Sequence, residues 1–356
     1  MTLDHLRRYR SRRGRRRACL LTTAAAAALL AAMPADAQDA TWLLNPGSGT
    51  FNTATNWNPA VVPTNTAIFG ASNTTLILFQ PFTTTSIGTL QFNPDAPAYI
   101  FTTSEPLFTS ISITGAGIVN NSSNAPTFIV GNQANLFFRN ASTAGNATII
   151  TNAGAITGFA DSATGGNARF ITNAGGVLDI SGLSTGGMTA GSIEGAGTFQ
   201  LGSNQLTVGS NNLSTTVSGV ITGAGSLIKT GTGILTLSGT NTYTGTTTVN
   251  AGALIVDGSI ASSSLTTVNS GAVFLSSGTM GSTVVGAGGV LVPGPVGMPG
   301  TMTVAGDLTI QRNAFYVVQV NPRTASSVNV SGTASLDGTV AAVFAPGIYF
   351  TRSYTF

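Results

Sequence analysis

The sequence predicts an all-β fold, a solenoid in which short strands stack coil upon coil, and three features carry that prediction. First, short runs alternate apolar with small polar residues. In Gly223–Val256 these are Leu235 and Leu237, then Val249, then Leu254 and Val256, with glycine, asparagine and threonine between them. Period two places the apolar residues on one face of a strand, and no apolar residues recur at the three- and four-residue steps of a helix. Second, Phe138–Gly154 aligns without gaps to Phe159–Gly175, so the pattern repeats at one constant interval in the low twenties. That period is too short for a domain and too long for a hairpin, but it suits one coil stacked on the next. Third, charged residues make up 7% of the chain and hydrophobic residues 42%. A disordered chain shows the reverse balance.

The N-terminus predicts export. Eight arginines (Arg7, Arg8, Arg10, Arg12, Arg13, Arg15, Arg16, Arg17) precede an apolar run from Ala18 to Ala32, followed by Ala35-Asp36-Ala37. A basic head, an apolar middle and an A-x-A site are the parts of a secretory signal peptide, here residues 1–37. The remaining residues carry six basic and nine acidic side chains, a net charge of −3, so nothing basic continues that would suit a nucleic acid. His5 and Cys19, the one histidine and the one cysteine, fall within this leader.

Residues 38–110 are expected to form an N-terminal cap, with Trp42, Phe51 and Trp57 covering the first strand edges. Sugar stacking on Trp42 or Trp57 is the competing reading. Residues 111–292 are expected to form the main body of coils. Asn-x-Gly triplets at Asn152, Asn173, Asn250 and Asn269 read as tight corners at equivalent places, whose asparagines stack along the axis. Gly-Ala-Gly at 115–117, 195–197, 223–225 and 286–288 reads as further turns. Pro293 to Gly300 interrupts the strands, and residues 293–356 are expected to hold the last coils, stopping at Tyr354-Thr355-Phe356. About fifteen coils at ~4.8 Å spacing give a rod on the order of 70 Å.

GAGSLIKTGTG, LTLSGTNTYTG and TTTVNAGALIV, nearly unbroken across Gly223–Val256, resemble the autotransporter-associated β-strand repeat of bacterial type V secreted proteins. Residues 138–200 (STAGNA, ITNAGG, GSIEGAGTF) and 40–100 (NW, VP, AIFG, AYIF) are similar in style to passenger segments that accompany such repeats. The resemblance implies a right-handed parallel β-helix, passed through the outer membrane of a Gram-negative bacterium by a C-terminal translocator β-barrel. No barrel sequence is present here, and the Pro293–Gly300 segment follows the family's PG-x-S-x-G pattern only loosely.

With the leader removed, no histidine or cysteine remains for a serine triad, a thiol nucleophile or a zinc site. The carboxylates are Asp39, Asp95, Glu105, Asp161, Asp179, Glu194, Asp257, Asp307 and Asp337. A glycosidase needs two carboxyls about 5–9 Å apart. Asp161 and Asp179, separated by close to one coil of sequence, are the one pair that a coil could juxtapose. No catalytic, cofactor or metal site is expected. The expected function is a secreted, non-catalytic passenger presenting a polar surface for adhesion to other cells, host glycans or copies of itself. A polysaccharide lyase or glycosidase on a β-helix, and a fragment severed from its barrel, are the alternatives.

Overall fold

The computed structural model describes residues 37–103 and 108–349. The expected leader up to Asp36, Glu105, and the Tyr354–Phe356 end lie outside them. Among the described residues the chain is a parallel β-solenoid of about 12 turns. Trp57–Asn58 pairs antiparallel to Ala40–Trp42, and every other ladder between strands is parallel. The one helical turn among the described residues is the 3-10 segment Ala54–Asn56.

Three sides build each coil. The first side is a ten-stranded sheet that ends at Val220–Thr222, after which a four-stranded sheet takes over from Ser259–Ile260 to Ser327–Val330. The second is an eight-stranded sheet from Gly187–Ala190 to Ala334–Leu336. The third is a six-stranded sheet from Leu76–Phe79 to Ser192–Glu194, joined through a Gly195–Val217 bridge to a seven-stranded sheet ending at Thr339–Phe344. Two long strands, Thr84–Phe92 and Thr109–Asn120, turn a corner without breaking. Gly115–Gly117 therefore bends a strand rather than ending one.

The two sequence repeats lie on adjoining rungs. Phe159 pairs with Phe138, and Thr148–Thr151 pairs residue for residue with Arg169–Thr172. The rings of Phe138 and Phe159 stack at 4.8 Å and 7°, the spacing that the strands themselves impose. Coil length is not constant along the chain. A wide early coil carries Thr85 round to Ile111, whereas a narrow later one carries Val273 only as far as Val290. The longer early and late coils explain why about 12 turns form where fifteen were expected. The stack is correspondingly shorter, ~50–60 Å.

Coil width tracks what fills it. The wide first coils enclose an aromatic cluster of Trp42, Phe51, Trp57, Phe69, Phe79, Phe92, Tyr99 and Phe101, all buried. The narrow coils after Phe199 enclose mainly leucine, isoleucine and valine, such as Leu206, Leu235, Val249 and Leu254. Inward positions alternate with outward ones in strand after strand, as in Thr148–Thr151 and Ala253–Val256. At one corner Gly219, Gly239, Gly258 and Gly278 form a column, each so close to the carbonyl of the glycine beneath that no Cβ fits. Pro293 ends the strand Val290–Pro293, and the buried Gln319 amide donates to the carbonyls of Pro293 (3.2 Å) and Pro295 (3.1 Å), holding the loop that follows.

Candidate interaction surface

Most of the described carboxylates tie rungs together. Asp39 accepts from the Asn65 side chain (2.8 Å) and the Thr66 amide (2.9 Å), which hold its carboxyl below the usual range. Asp95 accepts from the Ala71 amide, Asp257 from the Ser277 hydroxyl and Asp307 from the Thr333 amide. Glu194 pairs with Arg169 on the preceding rung, and exposed Asp337 lies 4.0 Å from Arg312.

Asp161 and Asp179 lie on neighbouring strands but are not brought together. Asp161 pairs in register with Leu183, whereas Asp179 pairs with Gly158. The two are thus out of step by about 10 Å along the strand. Asp161 accepts from the Asn140 amide (2.9 Å) and Asp179 from the Ser181 amide (2.8 Å). Neither geometry aims a carboxyl at a shared substrate atom. Among the described residues no group of three or more His, Cys, Asp or Glu side chains is placed to hold a metal ion.

The tryptophans are not stacking platforms. Trp42 and Trp57 are each 2% exposed. Their indole N–H groups donate to the carbonyls of Thr74 (3.1 Å) and Phe51 (2.8 Å), and their rings meet edge to face at 4.9 Å.

The asparagine corners form as expected, with one correction. Asn173 donates to Asn152 (2.8 Å) and Asn269 to Asn250 (2.6 Å), and the glycines at 154, 175, 252 and 271 all have left-handed φ. The pairs do not share a corner, however. The first follows strands of the third side and the second follows strands of the second side. Both corners need the same left-handed residue, so sequence gives them the same triplet.

Lys229 was not singled out by sequence, yet it is buried, with 1% exposed. Its ammonium donates to the carbonyls of Thr230, Gly231 (3.0 Å) and Ala251 (3.3 Å), bridging two rungs. Burial lowers its pKa. The signal was available: Lys229 has the same parity as inward Leu227.

The outward faces differ from side to side. On the second side Thr189, Thr207, Thr248, Thr267 and Thr309 fall on one column of paired positions, broken by Ile228 and Val284. The third side departs from the hydroxyl- and amide-rich exterior that was expected. Ile255, Leu275 and Val292 stack there in register and half-exposed.

Residues 227–256 match the model of the passenger-associated-transport-repeat family. The chain is autotransporter passenger-like. The matched unit spans one coil and part of the next, because Leu227–Lys229 pairs with Thr247–Val249 and Ile234–Leu237 with Ala253–Val256. Lys229 lies inside this passenger repeat and links its two rungs. The chain is also 29% identical over 182 residues to the adhesin BmaC autotransporter of Brucella suis biovar 1 (strain 1330). That alignment covers 47% of this passenger-like chain and 5% of the adhesin's length. No solved structure matches the chain.

Proposed function

We propose that this chain is an adhesive, non-catalytic stretch of an autotransporter passenger, exported by a signal peptide over residues 1–37 and held at the cell surface through a translocator β-barrel. The observation that carries the reading is the uninterrupted parallel stack, whose described carboxylates bind neighbouring backbone amides and side chains. Similarity to a protein named as an adhesin supports it. Residues 38–110 form its entry cap, residues 111–292 its body and residues 293–356 its last coils. Rows of threonine one rung apart offer many weak, equivalent contacts, which gain strength only by being made together.

The test is display of the chain on a barrel in a non-adherent Gram-negative host, scored by retention on host-cell monolayers and by settling of the bacteria. Gain of either is expected, and failure of both in surface-positive cells would overturn the reading. Turnover of a polysaccharide that disappears on Asp161→Asn or Asp179→Asn would replace it with the enzymatic alternative.

A further inference from the structure

Phe82 and Phe108 stand on consecutive rungs where the third side turns into the first. The Phe82 amide donates to the Phe108 carbonyl at 2.7 Å, which fixes them one rung apart. Both rings are exposed, 70% and 67%. Large apolar side chains elsewhere in these aromatic-rich early coils are mostly buried, so an adjacent exposed pair calls for an explanation.

Backbone geometry sharpens the point. Phe82 has φ 56, in the left-handed region that a bulky side chain rarely occupies. Later rungs use glycine at this corner, Gly154 (φ 72) and Gly175 (φ 79). Gln133 (φ 59), on the rung after Phe108, also replaces glycine, and its amide donates to Gly154 at 3.2 Å. At the position held by Gly154 and Gly175 on later rungs, these first rungs thus carry side chains. Strain kept where glycine would serve marks a functional position.

The rings border an open groove of about 250 Å³ whose other walls include Thr84, Ser110, Asn135 and Gln133. Thr84, Ser110 and Asn135 are successive partners in register, so their side chains form a column one rung apart. Among the described residues that line the groove, every polar group is a neutral hydroxyl or amide.

We propose that this groove is a subsite for one ring of a neutral polysaccharide. The apolar C–H face of a pyranose covers phenyl rings, and its hydroxyls exchange hydrogen bonds with groups that both donate and accept. The groove is smaller than the roughly 300 Å³ at which sites for drug-sized molecules begin, and it suits a single ring. A charged ligand finds no counter-charge among the described lining residues. An apolar protein anchor would cover the hydroxyls and amides of Thr84, Ser110 and Asn135 without partners. This rests on the adhesive reading above and gives it a ligand class. One such subsite is weak, with a Kd on the order of 1 mM, and gains strength from many copies on one cell.

The test is affinity electrophoresis of the purified full chain through gels containing dextran, galactomannan or hydroxyethyl cellulose, with polygalacturonate as the anionic control. At least one neutral gel should retard the wild type more than the anionic gel does. Phe82→Ala with Phe108→Ala should weaken that retardation about tenfold. Phe82→Tyr with Phe108→Trp should keep it, and an unchanged melting curve for either pair shows that the fold persists. No retardation in any neutral gel, stronger retardation by polygalacturonate, or equal retardation of the alanine variant would each overturn the proposal. Displayed cells carrying the alanine pair that adhere as well as wild type would remove this subsite while leaving the adhesive reading standing. Lost adherence without polysaccharide retardation of the wild type would replace the sugar by a protein partner.

Discussion

Replacing Gly258 by alanine adds one methyl group at a close approach between successive rungs. Gly219, Gly239, Gly258 and Gly278 stand on successive rungs, and a Cβ on Gly258 would meet the carbonyl of Gly239 and the backbone of Ser238. These are backbone atoms held by ladders on both sides, so they cannot swing aside as a long side chain would. Gly258 does not have left-handed φ, so alanine fits its local conformation. If nothing lay beneath it, alanine would stabilise the chain by about 0.4–1 kcal/mol, because it restricts the unfolded chain. Overpacking costs about 1–3 kcal/mol, so the column predicts a loss, opposite in sign to the backbone effect. In a solenoid the loss falls on one interface between rungs. Circular dichroism should report a melting point lower by a few degrees, and amide exchange should quicken in Ala253–Val256 and Thr279–Met280. Gly271→Ala is the control. Nothing lies within 4 Å of its added Cβ, but its φ of 76 makes alanine strained, so it should cost ~1 kcal/mol without opening that interface. A Gly258→Ala chain that melts at or above wild type would refute the close column.

Trp57→Ala should cost about 3–5 kcal/mol, confined to the first coils because each rung touches only its neighbours. The fluorescence of Trp42, 4.9 Å away, should then change at a lower temperature than the far-ultraviolet signal. A single coincident transition would show instead that the stack melts as one body. Alkaline pH gives another expectation. Burial pushes Tyr99 and Tyr316 up to about 12 and Tyr243 higher still. A raised folded pKa means that the unfolded chain loses its proton first, so the contribution of these tyrosines is flat below pH ~10 and falls as pH climbs toward 12. Tyr243→Phe should shallow that fall while losing the bond to Thr247 (2.6 Å) at neutral pH. An unchanged alkaline slope would remove Tyr243 from the account.

The direction of each strand's faces was legible wherever apolar and small residues alternate, as in Leu235-Thr236-Leu237. Stacking of the two halves of the repeat was legible too, because Phe138 and Phe159 fill the same slot one coil apart. Where both parities are apolar, as in Val273-Phe274-Leu275, alternation cannot say which face is wet, and the apolar outer column of the third side went unseen. Corner residues announce a turn but not which turn, because left-handed backbone favours asparagine or glycine at more than one corner. The glycine column left a trace that was missed, since Ser238-Gly239, Asp257-Gly258 and Ser277-Gly278 recur at nearly even steps, once per coil. At the proposed subsite the aromatic letters were visible, but nothing in their spacing distinguished exposed Phe82 from buried Phe79.

Each parallel partner lies a single circuit away in sequence, Ile111 for Thr85 and Val290 for Val273, and this has a bearing on how the molecule is made. No strand waits for a partner from the far end of the chain, so each newly arrived loop finds its whole template already in place. Chains dominated by distant pairings fold slowly because closure must precede reward. Here the search is never wider than one lap of the polypeptide, so each closure spans one short loop. Each lap, once closed, offers its complete edge to the next and holds the one before it in place.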